Sequence, residues 1–519
     1  MNVRFNQRFA PLVVLFVAFV VRIANLIGES LWRDEVDSVR FAFEPLGNIL
    51  RNFGDSGFNG PLYHLMLRGW LSLAGVNDFA LRYLSLVCSV LLVALVYVLT
   101  KRLFGYRAAL VAMWLIALSP VLIWYAGEGK MYSLQPMLLT LALYALVRAC
   151  ANKKDCGLET GLSFQSPISN LPSPVWWFVF IIATSLSFYV HLLSPIFLAV
   201  AAVFFVAMWP QSRAHLKGGL IALALLTLPY APLAFSRIGS VITGGDVGHT
   251  FYPLDVVART LLSNWTVGLD GRAPLLDMPM TSTTVDLARW LVLALFVALA
   301  LYALLSTDHE PPLVTRLKWA TLAWLGLPML IVFAVSLRFP VFQPRYLLWS
   351  APALYVLAGA GFAHAFGAGL LGRRATQIAV TLLTLISVSG WVSQVIHPIR
   401  PDLRGASHAI VQSMRPGDAV VFQIPYGRYS FEYYARQAGV DLTQMKIVEA
   451  PYTNYGMAED DVSTTMANAL GNTRRVWLFE TEATMWDARG LVHTWADRDL
   501  RLIERHDLRG VSVGLYQLP

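Results

Sequence analysis

Charge is what this chain has least of. Only 14% of its 519 residues are Asp, Glu, Lys or Arg, while 56% are apolar; soluble domains carry about 25% charged residues. That scarcity excludes an ordinary water-soluble globule and points to a polytopic membrane protein with an extramembrane part. Cysteine is nearly absent as well. Cys88, Cys150 and Cys156 fall in an apolar run or a proposed inner loop, which excludes a disulfide framework. No short internal repeat is present.

The apolar runs predict eleven spans, at about 9–27, 82–100, 108–125, 132–148, 175–191, 193–209, 218–236, 287–305, 319–337, 346–366 and 375–396. The stretch Leu62–Ala74 is too short and too interrupted to span, and predicts a helix lying at the interface. The first run lacks a small-residue cleavage site and continues through Arg22 to Ile27, so it is read as a retained span rather than a signal peptide. Lys101, Lys153, Lys154, Lys217 and Lys318 fall in alternate loops, joined there by Arg4, Arg8, Arg102, Arg107, Arg148, Arg213, Arg316, Arg373 and Arg374. The positive-inside rule then places the amino terminus in the cytoplasm and the loop after the first span outside. With an odd number of spans, the tail lies outside too. From 398 onward 13 Lys and Arg face 15 Asp and Glu, a net of −2, which leaves +10 on the preceding part of a +8 chain. The basic balance is therefore a topology signal and not a nucleic-acid footprint.

Two predicted outer loops are long, about 28–81 and 237–286, and the inner loop 150–174 is rich in Ser and Pro. From about Asp402 the character changes. Helical spacing over Arg404–Met414, Tyr429–Gln437 and Glu459–Leu470 alternates with strand-like runs at Ala419–Phe422, Arg475–Phe479 and Val511–Tyr516. The expected organisation is a membrane domain, 1–397, and a small extracytoplasmic α/β domain, 398–519. The latter has no G-x-G-x-x-G loop and no metal-ligand cluster.

Chemistry is suggested by Ser30-Leu31-Trp32-Arg33-Asp34-Glu35-Val36-Asp37, directly after the first span. A carboxylate pair at a membrane surface anchors a helix poorly. It suits taking a proton from a hydroxyl, or holding a cation, beside a lipid substrate. Two further charged loops return to the same predicted face: Glu128-Gly129-Lys130-Met131-Tyr132, and Gln343-Pro344-Arg345-Tyr346. A sugar on a polyprenyl phosphate has its reactive carbon at the headgroup. Its transfer needs a base for the acceptor hydroxyl and cations for the phosphate as charge builds on departure. Asp37 could hydrogen-bond within its loop or contact acceptor. A divalent metal is left open, with Asp34, Glu35 and His64 as candidate ligands. His191 stands at an outer span end, Arg22 near a span end where arginines snorkel, and Trp124, Trp176, Trp177, Trp324 and Trp349 read as interface-belt residues.

Taken in order, Ser30–Glu35, Gly60-Pro61-Leu62-Tyr63 with Ala80-Leu81-Arg82, Glu128–Tyr132 and Pro344-Arg345-Tyr346 resemble the motifs of bacterial C-type membrane glycosyltransferases. These are the enzymes related to protein O-mannosyltransferases and the lipid A aminoarabinose transferase. The resemblance spans most of residues 1–365. It implies inverting transfer from a polyprenyl-phosphate sugar to a glycan, lipid or protein acceptor, at the outer face of a bacterial inner membrane. Asp34 matches the catalytic acid of the first outer loop, with Glu35 as its partner in acceptor or metal contact. Arg345 matches the arginine facing the lipid phosphate, supported by Lys130 and Tyr346; Glu128, Tyr63, Tyr132 and Asp37 are the remaining substrate-binding candidates. Two departures stand out. The family's His-Pro-Pro-Leu-Tyr reads Asn59-Gly60-Pro61-Leu62-Tyr63, and its Gln-Glu-Ala-Arg-Met-Tyr reads Gly127-Glu128-Gly129-Lys130-Met131-Tyr132. Lysine binds phosphate as a point charge without arginine's fork. The rival reading is a flippase or transporter of a lipid-linked sugar. It expects charges at mid-membrane and paired broken helices, whereas these charges gather at one face.

Overall fold

A computed structural model describes residues 2–24, 26–53, 59–151, 171–235, 250–268, 282–306, 310–396 and 398–518. The Ser/Pro-rich inner loop, Cys156 and most of the second long outer loop lie outside the described residues. In chain order the helices are α1 (Asn2–Ile23), α2 (Arg33–Ala42), α3 (Leu46–Asn52), α4 (Leu62–Ala74), α5 (Asp78–Ala117), α6 (Pro120–Ala126), α7 (Leu134–Cys150), α8 (Ser173–Phe188), α9 (Phe197–Ala207) and α10 (Leu216–Thr227). They continue with α11 (Leu254–Thr266), α12 (Ser282–Leu305), α13 (Pro312–Ser336), α14 (Ala351–Gly367), α15 (Leu370–Ile396), α16 (Leu403–Ser413), α17 (Gly427–Gln437), α18 (Glu459–Leu470) and α19 (Leu491–Asp499). The strands are β1 (Ala419–Phe422), β2 (Lys446–Glu449), β3 (Arg475–Thr481), β4 (Arg501–Leu508) and β5 (Val511–Gln517). The chain divides into two compact units, one of residues 1–26, 44–70 and 82–397, the other of 27–43, 71–81 and 398–519. The second unit thus takes in the Asp34 segment.

In the first unit, five helices among the described residues are long and apolar enough to cross a membrane: Asp78–Ala117, Gln211–Phe235, Pro312–Ser336, Pro344–Gly367 and Leu370–Ile396. Shorter apolar helices cover Phe9–Ile23, Leu134–Cys150, Ser173–Phe188, Ser194–Ala207 and Trp290–Leu305. The runs expected at 82–100 and 108–125 are two arms of α5 that meet at Gly105, whose φ of 85° breaks the helix there. The second arm stops at Ala117, short of the expected end. Ser119 is extended at φ −61°, ψ 117° and Pro120 opens α6, as proline forces on the residue before it. α4 forms over Leu62–Ala74 as anticipated.

Of the five long apolar spans, Pro344–Gly367, which contains α14, is the most buried. Gly359 and Gly361 bring its backbone against its neighbours: a β-carbon on Gly359 would lie 2.4 Å from the Ala108 carbonyl oxygen, and one on Gly361 1.9 Å from that of Leu299. Small residues allow this backbone approach between apolar helices. The 3₁₀ turn Pro344–Ser350 leads directly into α14, so Arg345 stands on a rigid support. Two expectations change here. Trp324 and Trp349 are fully buried and joined by a bond from Trp324 Nε1 to the Trp349 carbonyl at 3.2 Å; they are core residues, not an interface belt. Trp176 and Trp177 are buried as well. Arg22 does not snorkel. It is buried and donates to Ser89 Oγ at 2.8 Å and the carbonyls of Ala18 and Ala117 at 3.1 and 2.7 Å, supplying a cation to the last turn of α5.

The second unit is built on a five-stranded sheet ordered β2-β1-β3-β5-β4. β1 pairs in parallel with β2 and β3, while β3–β5 and β5–β4 are antiparallel. Val421, Leu478, Val462, Met466, Val492, Trp495 and Tyr516 are among its core.

Candidate functional site

The Asp34 segment begins as the first turn of α2. Glu35 at the third helical position is fully buried, and its Oε2 accepts from the Trp32 backbone N–H at 3.3 Å, the reciprocal half of a capping box. The same oxygen receives Arg400 NH1 at 3.0 Å. Arg400, itself buried, also lies 3.4 Å from Glu29 Oε2, and its backbone N–H donates to Glu29 Oε1 at 3.0 Å. Two carboxylates thus clamp one guanidinium. Further bonds hold the preceding residues: Ser30 Oγ donates to Asp402 Oδ1 at 2.9 Å, and the Leu31 N–H donates to the Tyr434 hydroxyl at 2.7 Å. Asp78 receives Arg404 at 2.6 Å and the hydroxyls of Tyr433 and Tyr434 at 3.0 and 3.1 Å.

Asp34 differs from its neighbour. Its side chain is 17% exposed, with Arg33 Nε 3.6 Å from Oδ1, and Arg33 in turn lies 4.6 Å over the Tyr426 ring. Asp37 is tied to Arg40 at 3.0 Å on the same helix. Of the three acids, Glu35 helps hold the turn and Asp37 pairs with Arg40.

The cationic residues form a cluster within the first unit. Lys130 sits in a tight turn closed by its own N–H on the Glu128 carbonyl at 2.7 Å, and Glu128 is buried. Tyr63 supports that turn from α4: its hydroxyl is 3.3 Å from Ser85 Oγ, which donates to the Lys130 carbonyl at 3.0 Å. Two residues on, Tyr132 packs edge-on against Tyr125, with centroids 5.3 Å apart, and takes the Arg345 guanidinium over its face at 5.5 Å. Arg345 also lies 5.9 Å from the Tyr346 ring, and Tyr346 packs at a tilt of 56° against His191 with centroids 4.8 Å apart.

Two histidines share these surroundings. Burial, followed by the positive charge of Lys130, pulls the His64 pKa down to about 4. Burial, followed by Arg345, pulls His191 down to about 3. Both imidazoles are neutral near pH 7, because burial disfavours the charged ring and a neighbouring cation adds to that. The same fact bears on metal binding: a histidine beside an ammonium is poorly placed to ligate a cation, and Glu35 is occupied by Arg400. The residues do not fit a metal held by Asp34, Glu35 and His64, and among the described residues no three His, Cys, Asp or Glu come together as a metal site.

The Asn59-Gly60-Pro61 departure has a steric reason. The Leu62 N–H donates to the Tyr189 carbonyl at 2.9 Å, and a β-carbon on Gly60 would lie 2.0 Å from that oxygen. Only glycine lets the chain at this point run against the loop that carries His191. Beside that loop an apolar cavity of about 320 Å³ is lined by Phe188, Leu192, Pro195, Tyr230, Phe339 and Val341 among others.

Arg400, Asp78, Tyr433 and Tyr434 were not legible as site residues in sequence, since Arg400 and Glu35 are 365 positions apart. His191 was legible only as a histidine at a span end.

The chain thus carries a helical unit of membrane type with a cation-rich cluster, and an α/β unit. The family described as dolichyl-phosphate-mannose-protein mannosyltransferase matches residues 59–212, which supports the relation read from the motifs. The fold is similar to ArnT from Cupriavidus metallidurans in the apo state, at a TM-score of 0.56 and 11% identity over 97% of each chain. The structure of that protein bound to undecaprenyl phosphate gives 0.52 and 12%, again over 97% of each. The archaeal oligosaccharyltransferase AglB from Archaeoglobus fulgidus, in complex with an inhibitory peptide and a dolichol-phosphate, gives 0.53 at 14% identity, over 99% of this chain and 75% of that one. Among curated protein sequences none matches. The chain is a multi-pass membrane protein that shares the fold of these proteins.

Proposed function

We propose that this protein transfers a sugar, with inversion, from a polyprenyl-phosphate donor to an acceptor hydroxyl at the outer face of a bacterial inner membrane. The observation that carries the reading is the cluster of Lys130 and Arg345 beside two neutral histidines. Lys130 bears on His64 and Arg345 on His191, so positive charge reaches both rings, and such a site suits an anion. The adjoining apolar cavity suits the first isoprene units of the lipid, the hydroxyl of its Tyr230 being paired with Ser185.

Asp34 is the base. It accepts the acceptor's proton as the oxygen attacks the anomeric carbon, while the bond to phosphate breaks and its electron pair stays on the phosphate. Arg345 and Lys130 hold that phosphate, and Tyr132 and Tyr346 steer the guanidinium through their ring faces. Glu35 acts as a positioning residue: with Arg400 it fixes the turn from which Asp34 projects. Glu128 and Tyr63 keep the Lys130 turn in place, and Asp37 contributes at the acceptor side. The amino terminus is cytoplasmic and eleven spans carry the tail outside.

The test is transfer by the purified protein from a synthetic polyprenyl-phosphate sugar. Asp34→Asn keeps the shape and removes the base, so turnover should fall about 10²–10⁴-fold with donor binding little changed. Near-full turnover in a folded Asp34→Asn variant would contradict the assignment.

A further inference from the structure

His191 is used by nothing described so far, yet its placement is specific. It sits in the loop between α8 and α9 and is 2% exposed. Its Nδ1 accepts the Leu193 backbone N–H at 3.1 Å. A ring nitrogen that accepts carries no proton, so in the neutral ring the hydrogen resides on Nε2. That Nε2 is buried and has no hydrogen-bond partner among the described residues. A buried N–H donor left unpaired costs about 1–3 kcal/mol, so natural folds seldom keep one without use.

The surroundings say what would satisfy it. Tyr346 packs at a tilt against the ring, with centroids 4.8 Å apart, and Arg345 is the charge that acts on it most. A group able to satisfy Nε2–H here must accept a hydrogen bond and tolerate a guanidinium nearby; an anionic oxygen does both. The loop itself is held: Gln135 Nε2 donates to Ser194 Oγ at 3.0 Å, and the Tyr189 carbonyl is fixed by Leu62.

We infer that His191 is a binding residue for the lipid phosphate, donating from a neutral Nε2–H to a phosphoryl oxygen beside Arg345. This rests on the glycosyltransferase reading above. No proton changes hands. The contact strengthens as the phosphate gains negative charge on losing the sugar, so it assists departure as well as binding.

Two amide substitutions separate the ring nitrogens. His191→Asn can still accept the Leu193 N–H and loses the distal donor. His191→Gln reaches the Nε2 position with its amide and gives up the Leu193 contact. Undecaprenyl phosphate binding is measured for the full-length protein in nanodiscs, with melting recorded alongside. A hydrogen bond to a charged group is worth about 1.5–3 kcal/mol, so His191→Asn should weaken binding roughly 10- to 100-fold while His191→Gln stays within about threefold of wild type. The reverse order, or no loss in either folded variant, overturns the inference. A structure of the wild type with undecaprenyl phosphate gives the same decision without a variant. Nε2 within about 3.2 Å of a phosphoryl oxygen supports the contact, and an Nε2 turned away from the phosphate overturns it. Wild type that fails to bind undecaprenyl phosphate, or binds it independently of Arg345, would instead count against the glycosyltransferase reading itself.

Discussion

Removing Arg400 should damage this protein more than removing any surface cation. Glu35 is fully buried and Glu29 nearly so, and both carboxylates face the Arg400 guanidinium. In Arg400→Leu the side-chain volume is roughly kept, but two buried carboxylates lose their cation. Breaking a buried ion pair from one side costs about 3–5 kcal/mol. Glu35→Gln is the milder form, since its amide oxygen still accepts from Trp32 or Arg400; a cost of about 1.5–3 kcal/mol follows from weakening a charge-assisted bond. Melting of the detergent-solubilised chain, with transfer measured in the same preparation, tests both. Arg400→Leu should melt well below Glu35→Gln, and Glu35→Gln below wild type. Turnover of Glu35→Gln should fall by no more than about tenfold, against 10²–10⁴-fold for Asp34→Asn. A Glu35→Gln variant that melts like wild type yet loses as much turnover as Asp34→Asn would refute the positioning role and restore Glu35 to the chemistry.

Arg345→Ala should lower both turnover and donor affinity, and Arg345→Lys should recover only part because the two-pronged contact is lost; full activity in a kinetic assay of Arg345→Lys would speak for a mere anchor. Lys130→Ala should act in the same direction but less, and Lys130→Arg should keep most of the wild-type rate. Gly60→Ala should destabilise by about 1–3 kcal/mol as an overpacked backbone contact, because the new methyl meets the Tyr189 carbonyl; an unchanged melting temperature would contradict it. Acid should destabilise the first unit. His64 and His191 titrate at about 4 and about 3 in the folded chain, below the ordinary 6.5, so the unfolded chain binds more protons. Their stability is complete above pH 6.5 and is lost as pH falls towards those values, by up to about 1.4 kcal/mol per pH unit for each; a melting temperature flat from pH 7.5 to 5 would argue against it. Cysteines placed at Ala214 and Thr464 should label from opposite sides of the membrane, and labelling from one side would remove the eleven-span topology.

The membrane unit was readable because hydropathy alone fixes where helices fall: α4 has its anticipated limits, and the paired runs at 82–100 and 108–125 reappear as the arms of α5. What hydropathy misses is a break that stays apolar, and the run through Ser119-Pro120 was read as continuous for that reason. In the α/β unit β1, β3, β5 and α18 follow their sequence signals. β2 and β4 were missed because they are the outer strands. Lys446–Glu449 is only four residues, and Arg501–Leu508 is largely exposed and carries five charges or imidazoles in eight residues, which suits an edge strand and hides a period of two. The site divides in the same manner. Asp34, Lys130 and Arg345 announce themselves as charges beside apolar runs. The division of labour between Asp34 and Glu35 depends on Arg400, hundreds of residues away, and no local pattern carries that information.

The most direct measurement follows the fate of a radiolabelled polyprenyl-phosphate sugar given to membranes that contain the protein. Wild type should release free polyprenyl phosphate and place the sugar, with inverted anomeric configuration, on an envelope acceptor, and Asp34→Asn should do neither. A donor that remains intact while crossing from one leaflet to the other, at the same rate in wild type and Asp34→Asn, would contradict sugar transfer and leave a lipid-linked sugar transporter in its place.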